Sequence, residues 1–265
     1  MDDSNPKEAR KRMPKGIYLL PNLFTTGALF AGFYAVIAAI NGLFETAAIA
    51  IFLAGLLDGL DGRVARLTNT QSAFGAEFDS LSDMVSFGVA PALIVYLWSL
   101  VYLKEVSIAM GKLGWLAAFI YATATALRLA RFNTQIGTAD KRYFQGLASP
   151  AAAAVVMGAV WLCESYEIAG KDVTYAALVL TIAAGGLMIS RFSYYSFKDL
   201  DLRERVPFVA MVAVVLVFVF LSIETATVLF SFFFLYMRSG PLVSLFRWNR
   251  KRMRLADSGQ RDTDI

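Results

Sequence analysis

Four aspartates, Asp58, Asp61, Asp79 and Asp83, stand in a largely apolar stretch, LLDGLDGRVARLTNTQSAFGAEFDSLSDMVSFGVAP, spanning residues 56–91. On a helix, Asp58 and Asp61 (i, i+3) share a face with Gly62 and Ala65, and Asp79 and Asp83 (i, i+4) share a face of the next helix. If the two helices fold back on each other through Leu67 to Phe74, the four carboxylates meet. Unpaired acids crowded in a low-dielectric setting repel one another, so the pattern asks for a cation. Carboxylates alone suit hard ions, Mg²⁺, Mn²⁺ or Ca²⁺, and Mg²⁺ usually keeps positions open for phosphate oxygens. Gly59, Gly62 and Gly75 leave room for a bulky ligand against the backbone, and Arg66 offers a forked donor suited to phosphate.

Plainer readings compete at each position. One isolated aspartate near a helix end is as easily interfacial or a helix cap. Membrane carboxylates also line the proton or cation paths of transporters, although Arg63 and Arg66 beside the cluster argue against cation passage. Gly55 and Gly59, four apart, have the spacing of a helix-packing contact.

The elements that must position these residues follow from composition. Hydrophobic residues make up 57% of the 265, against about 45–50% in an average globular chain, so the sequence has too little polar surface for a soluble body. There is no histidine and only one cysteine, Cys163. That excludes an intramolecular disulfide, a cysteine metal cluster, a Ser-His-Asp triad and any histidine metal site. Acid–base and metal chemistry therefore fall to carboxylates. The net charge of +4 is read as cytoplasmic loops and anionic-lipid contacts, with no nucleic-acid partner.

A spanning helix needs about 20 apolar residues. That rule gives eight candidates, at 20–41, 45–66, 80–103, 113–131, 148–163, 173–190, 206–222 and 225–246, with Glu224 marking the break between the last two. Seven spans is the competing count. With eight, all but four of the 25 Lys and Arg residues fall on one side, the exceptions being Lys104, Lys112, Lys171 and Arg238. The positive-inside rule then places both termini in the cytoplasm. The expectation is an all-α polytopic membrane bundle in the cell (inner) membrane, with the aspartates facing the cytoplasm.

Residues 1–19 form a basic segment that reads as a short interfacial amphipathic helix or as a disordered tail. It lacks a signal-peptide cleavage pattern and is expected to be retained. Residues 20–246 form the membrane domain, and residues 247–265 a basic, polar tail ending in a disordered RDTDI.

The spacing Asp58-x-x-Asp61-Gly62-x-x-Ala65-Arg66, eight residues, then Gly75-x-x-x-Asp79-x-x-x-Asp83 resembles the full signature of the CDP-alcohol phosphatidyltransferases, with no departure. The resemblance implies a six-helix catalytic core, a homodimer, and displacement of CMP from a CDP-linked lipid by an alcohol. It implies that Asp58, Asp61 and Asp79 hold divalent metal, Mg²⁺ or Mn²⁺ and two ions with four carboxylates to hand. Asp83 is then ligand or general base, and Gly62, Ala65 and Arg66 border the CDP group. Gly75 adds open backbone there. Asn22 and Thr25, at the start of the first span, either contact nucleotide or phosphate, or, for Asn22, cap the helix after Pro21.

Beyond the signature, PNLFTTGALFAGF (21–33), RLARFN (128–133), GLASPAAA (146–153) and SYYSFKDL (193–200) are similar to the phosphatidylserine synthase branch, which implies CDP-diacylglycerol and L-serine as substrates. Arg128 and Arg131 are suited to the serine carboxylate and Asn133 to a hydrogen bond with it, or the arginines are ordinary positive-inside charges. Lys198 has the same two readings. The aromatics of SYYSFKDL form a pocket wall or an interfacial belt. Glycerol 3-phosphate or inositol phosphate would need further cationic donors, and choline an aromatic cage. A lipid-binding protein without catalysis is the remaining alternative.

Overall fold

The computed structural model describes residues 19–68, 70, 72–134, 143–195 and 224–261. Helices dominate. They are α1 (Leu19–Ile40), α2 (Phe44–Leu67), α3 (Ala73–Asp83), α4 (Ala90–Trp98), α5 (Leu103–Val106), α6 (Ile108–Thr134), α7 (Ser149–Ser165), α8 (Thr174–Ile189) and α9 (Thr225–Arg261). A π-helical turn, Met84–Val89, joins α3 to α4, so that Ala73–Trp98 forms one span. Two three-residue strands, β1 (Tyr143–Gln145) and β2 (Ser193–Tyr195), pair antiparallel with Phe144 opposite Tyr194.

Among the described residues, five helical stretches are long and apolar enough to cross a membrane: Pro21–Ile40, Ala73–Trp98, Ile108–Thr134, Gly170–Ile189 and Thr225–Ser244. With α2 and the shorter apolar α7 they make the polytopic all-α bundle expected from composition. α2 falls short of that apolar standard because Asp58, Asp61, Arg63 and Arg66 occupy its C-terminal half. The expected span 206–222 lies outside the described residues. So do residues 1–18, Lys198 and residues 262–265.

Two boundaries differ instructively. The third span starts at Ala73, not near residue 80, because Ser72 caps α3 by accepting from Gly75 N at 3.0 Å. The first turns of that span carry Glu77, Asp79, Ser80, Ser82 and Asp83, which hide a helix from a hydropathy reading. The last helix continues through residues 247–261 as one element with the span before it, where a separate tail was expected.

Small residues let the helices close on one another. α1 and α2 form the most extensive pair. Their seam is alanine: Ala28, Ala31, Ala35, Ala38 and Ala39 against Ala47, Ala48, Ala50 and Ala54, all buried. Gly32 lies against Ser86, whose hydroxyl donates to Ala28 O at 3.1 Å. α7 is the central helix, buried from Ala151 to Gly158 and packed on α2, α4, α8 and α9. Outward-facing Leu23, Phe30, Phe33, Leu56, Phe119 and Val179 present apolar side chains to lipid.

Among the described residues two prolines, Pro91 and Pro241, sit inside spans, and each deprives the carbonyl four residues earlier of its helical donor. For Pro91 that carbonyl is Phe87 O, within the π turn, and the buried Tyr121 hydroxyl of α6 donates to it at 3.1 Å. For Pro241 it is Met237 O, and the Tyr194 hydroxyl donates to it at 2.9 Å. Gly146, in the left-handed region at φ 81°, brings the β1 end against Met188 O so closely that no other residue fits.

Tyr121→Phe is expected to cost about 1–3 kcal/mol, the usual penalty for a buried carbonyl left without a partner. It should lower the thermal unfolding midpoint in detergent. Adding Pro91→Ala, which restores a donor, should recover part of the loss.

Candidate functional site

α1, α2, the Ala73–Trp98 span and α6 converge at one end of the bundle. Near the C-terminus of α2, Asp58 and Asp61 face Asp79 of α3. One carboxylate oxygen from each lies within 4.8 Å of the others. Asp83, one turn further along α3, comes into side-chain contact with Asp58 and lies beside Asp79. The carboxylates of the two helices meet as the spacing predicts, but α2 and α3 are not packed as a hairpin; α1 packs against both and bridges them.

Asp61 is the most enclosed of the four at 5% exposure. Thr25 of α1 holds it, with Oγ1 2.7 Å from Asp61 Oδ2. The same hydroxyl lies 3.1 Å from Pro21 O, but it has one proton and an ionised carboxylate is the stronger acceptor. α1 is tied to α3 in turn, because Ser82 Oγ donates to Thr25 O at 3.2 Å. Asp79 Oδ1 is buried and has no hydrogen-bond partner among the described residues.

Among the described residues one cation enters this group. Arg128 of α6 faces Asp83, and its Nη1 donates to Ser149 Oγ of α7 at 2.9 Å. Its Nε is buried without a hydrogen-bond partner among the described residues. Asp58, Asp61 and Asp79 have no ion pair among the described residues. Three mutually close oxygen donors, one buried carboxylate oxygen lacking a partner, and no neutralising side chain fit a hard divalent cation.

The other expected site residues separate into groups. Gly59 and Gly62 face open space, so α2 presents bare backbone beside the aspartates. Gly59 therefore makes no packing contact, contrary to the helix-packing reading of the Gly55/Gly59 pair; only Gly55 packs, against the Phe87 ring. Asn22 Oδ1 approaches Gly75 across the α1–α3 contact, which joins those two residues at one edge of the site. Ala65 is half-buried, and Arg66 is exposed with Nε turned back onto Gly62 O at 2.9 Å.

Two of the acceptor candidates have partners elsewhere. Arg131 pairs with the Gln145 side chain of β1. Asn133 Nδ2 donates to Ser80 Oγ at 3.1 Å and so braces α6 against α3 next to Asp79. Residue-by-residue reading of the sequence missed Ser149, although it lies within GLASPAAA. It also missed Tyr236 of α9, which lies close enough to Arg128 to interact electrostatically. An isolated tyrosine in an aromatic-rich helix carries no spacing signal.

Comparison with known proteins agrees with this geometry. The family model described as CDP-alcohol phosphatidyltransferase matches residues 18–189. The chain is 36% identical over 220 residues to the CDP-diacylglycerol–serine O-phosphatidyltransferase of Helicobacter pylori, covering 83% of this chain and 90% of that protein. The enzyme of the same name from Mycobacterium leprae is 32% identical over 212 residues, 77% of this chain and 68% of that protein. The archaetidylserine synthase of Methanothermobacter thermautotrophicus is 35% identical over 177 residues, 66% of this chain and 69% of that protein. The signature aspartates, the helices that bring them together and the match across α1–α8 lead to one conclusion: the chain belongs to the CDP-alcohol phosphatidyltransferase family.

Proposed function

We propose that this membrane enzyme transfers the phosphatidyl group of CDP-diacylglycerol to the hydroxyl of L-serine, giving phosphatidylserine and CMP. The observation that carries this reading is the position of Asp83, which lies against Asp58 and Asp79 of the carboxylate cluster and also within reach of the Arg128 guanidinium. Serine bears a carboxylate two carbons from its hydroxyl. An acceptor whose carboxylate rests on Arg128 thereby holds its hydroxyl next to Asp83. Relatives of the chain carry serine transferase and archaetidylserine synthase names, which supports the same acceptor.

Asp58, Asp61 and Asp79 would hold divalent metal, Mg²⁺ or Mn²⁺, with Asp83 able to complete the set and Ca²⁺ able to occupy it. Such ions, two for four carboxylates, would supply positive charge to neutralise the pyrophosphate and the charge developing on departing CMP. Thr25 fixes Asp61 in orientation, much as partners of metal-ligating groups do generally. Asp83 accepts the serine hydroxyl proton as the oxygen bonds to phosphorus and the bond from phosphorus to the CMP oxygen breaks. Arg128, oriented by Ser149, binds the serine carboxylate. The CDP group lies along the open backbone at Gly62 and Gly75, bordered by Ala65, Arg66, Asn22 and Thr25. Arg131 and Asn133 act on the acceptor side only indirectly, through their bonds to Gln145 and Ser80.

The same reading places the active site at the cytoplasmic face of the cell (inner) membrane with both termini on that side, residues 1–19 as a basic lead segment, residues 20–246 as the membrane domain and residues 247–265 as a basic extension. The positive charge flanking the aspartate end supports the orientation. Assembly as a homodimer rests on the family resemblance.

Purified protein given CDP-diacylglycerol and Mg²⁺ or Mn²⁺ should release CMP only when serine is added. EDTA should abolish that release and fresh metal restore it. Release with inositol phosphate or glycerol 3-phosphate and none with serine would overturn the acceptor. Asp83→Asn should lower kcat by about 10²- to 10⁴-fold, the usual worth of a general base, while CDP-diacylglycerol binding persists. For orientation, Ser258→Cys in a Cys163→Ala background should react with a membrane-impermeant maleimide in inverted vesicles and stay unlabelled in intact cells.

A further inference from the structure

Asp83 ends α3 and caps the π-helical turn Met84–Val89, in which Ala90 N donates to Val85 O, five residues back. A π turn is rare, and where it interrupts an α-helix it frequently marks a functional site. Here it is pinned from two neighbouring helices. On the α1 side, Ser82 donates to Thr25 O at 3.2 Å and Ser86 to Ala28 O at 3.1 Å, one clamp before the turn and one within it. On the α6 side, the Tyr121 hydroxyl donates to Phe87 O at 3.1 Å, and Gly88 lies so close to Thr125 that a side chain there would press on it.

The contacts with α6 run antiparallel. Tyr121 meets Phe87, Thr125 meets Gly88, and Asn133 meets Ser80 at 3.1 Å. The stretch of α6 between Thr125 and Asn133 therefore lies across from the stretch between Gly88 and Ser80. Arg128 falls within the first and Asp83 within the second. Along the helices, Arg128 is seven residues, about two turns, beyond Tyr121 on one face of α6, and Asp83 is four residues before Phe87. The point at which Tyr121 grips Phe87 O thus sets the level of Asp83 along α6. Tyr121 and Phe87 are both buried, and Pro91 brings no N–H to that carbonyl, so the phenol stands in for the helical donor.

We infer that Tyr121 is a positioning residue for the transfer reaction: its bond to Phe87 O keeps the turn after Asp83 in the π form and so holds the Asp83 carboxylate at the level of Arg128. The phenol itself touches no substrate. If the turn tightened to an α-helix, the parts of the span before and after it would rotate against each other by about 100°, the angle per residue of an α-helix. The Ser82 and Ser86 clamps on α1 could not then both hold, and Asp83 lies between them. A displacement of about 1 Å at reacting groups is enough to cost about 10²-fold in rate. This inference rests on the roles given to Asp83 and Arg128 in the serine-transfer reading above.

The test pairs turnover with stability in the full-length protein, in detergent micelles containing CDP-diacylglycerol, Mg²⁺ and saturating serine. Tyr121→Phe should lower kcat for CMP release on the order of tenfold to a hundredfold at temperatures well below its unfolding midpoint, with KM for CDP-diacylglycerol unmoved. Adding Pro91→Ala gives Phe87 O a donor four residues on in its own helix, so the unfolding midpoint should move back toward that of wild type. That donor favours the α form, so kcat should stay low. A tyrosine that only stabilises the bundle gives the opposite result, kcat returning with the midpoint. If the double variant regains both together, or Tyr121→Phe keeps the wild-type kcat while its midpoint falls, the inference is wrong and the serine reading stands. Where Tyr121→Phe alone is too unstable to purify, the double variant decides by the same comparison with wild type. If wild type releases no CMP with serine, both are wrong.

Discussion

Like charges at the edge of a hydrocarbon layer push apart, and the arrangement of this protein depends on holding four carboxylates together against that push. Side chains alone cannot do it. Among the described residues one arginine, Arg128, faces the group. The backbones must therefore be locked. The alanine seam brings α1 and α2 close, Ser82 and Ser86 tie the next span to α1, and Asn133 ties α6 to Ser80. Each lock is uncharged and so adds nothing to the repulsion it resists.

The locks also divide the site into two kinds of surface. On the α1–α2–α3 side are crowded oxygens and bare glycine backbone, suited to cations and to a phosphate chain. On the α6–α7 side is a buried guanidinium with a hydroxyl beside it, suited to a single anionic group. Asp83 belongs to both. A residue at that junction can be held near the metal-binding oxygens and still meet the incoming alcohol, which is why ligand and base need not be competing descriptions of it.

The aspartate cluster was legible in the sequence because helical spacing alone puts Asp58 with Asp61 and Asp79 with Asp83 on shared faces, and charges so placed stand out against apolar neighbours. Thr25 and Arg128 were legible as candidates, being polar residues near the same end of their spans. Hydropathy marked where helices cross lipid but not where they begin or stop, so the polar first turns of α3 and the charged continuation of α9 escaped it. Arg131 and Asn133 could not be placed, since their partners Gln145 and Ser80 are distant in sequence and met only through folding. The π turn after Asp83 left no trace beyond a proline at residue 91, and one proline is compatible with a kink, a helix end or a widened turn.

The two tyrosine–proline pairs bear on how the molecule is assembled. A helix entering the bilayer alone satisfies its own backbone, but the Ala73–Trp98 span and α9 each enter with a carbonyl, Phe87 O or Met237 O, whose donor four residues on is replaced by a proline. Each remains in debt to a partner made elsewhere in the chain. The Ala73–Trp98 span is synthesised before α6 and must wait for Tyr121. α9 emerges after β2, so Tyr194 is already present when it arrives. Insertion and docking are thus separated in time for the first and nearly simultaneous for the second, while the half of the site that carries the aspartates has all its helices in place before α9 emerges.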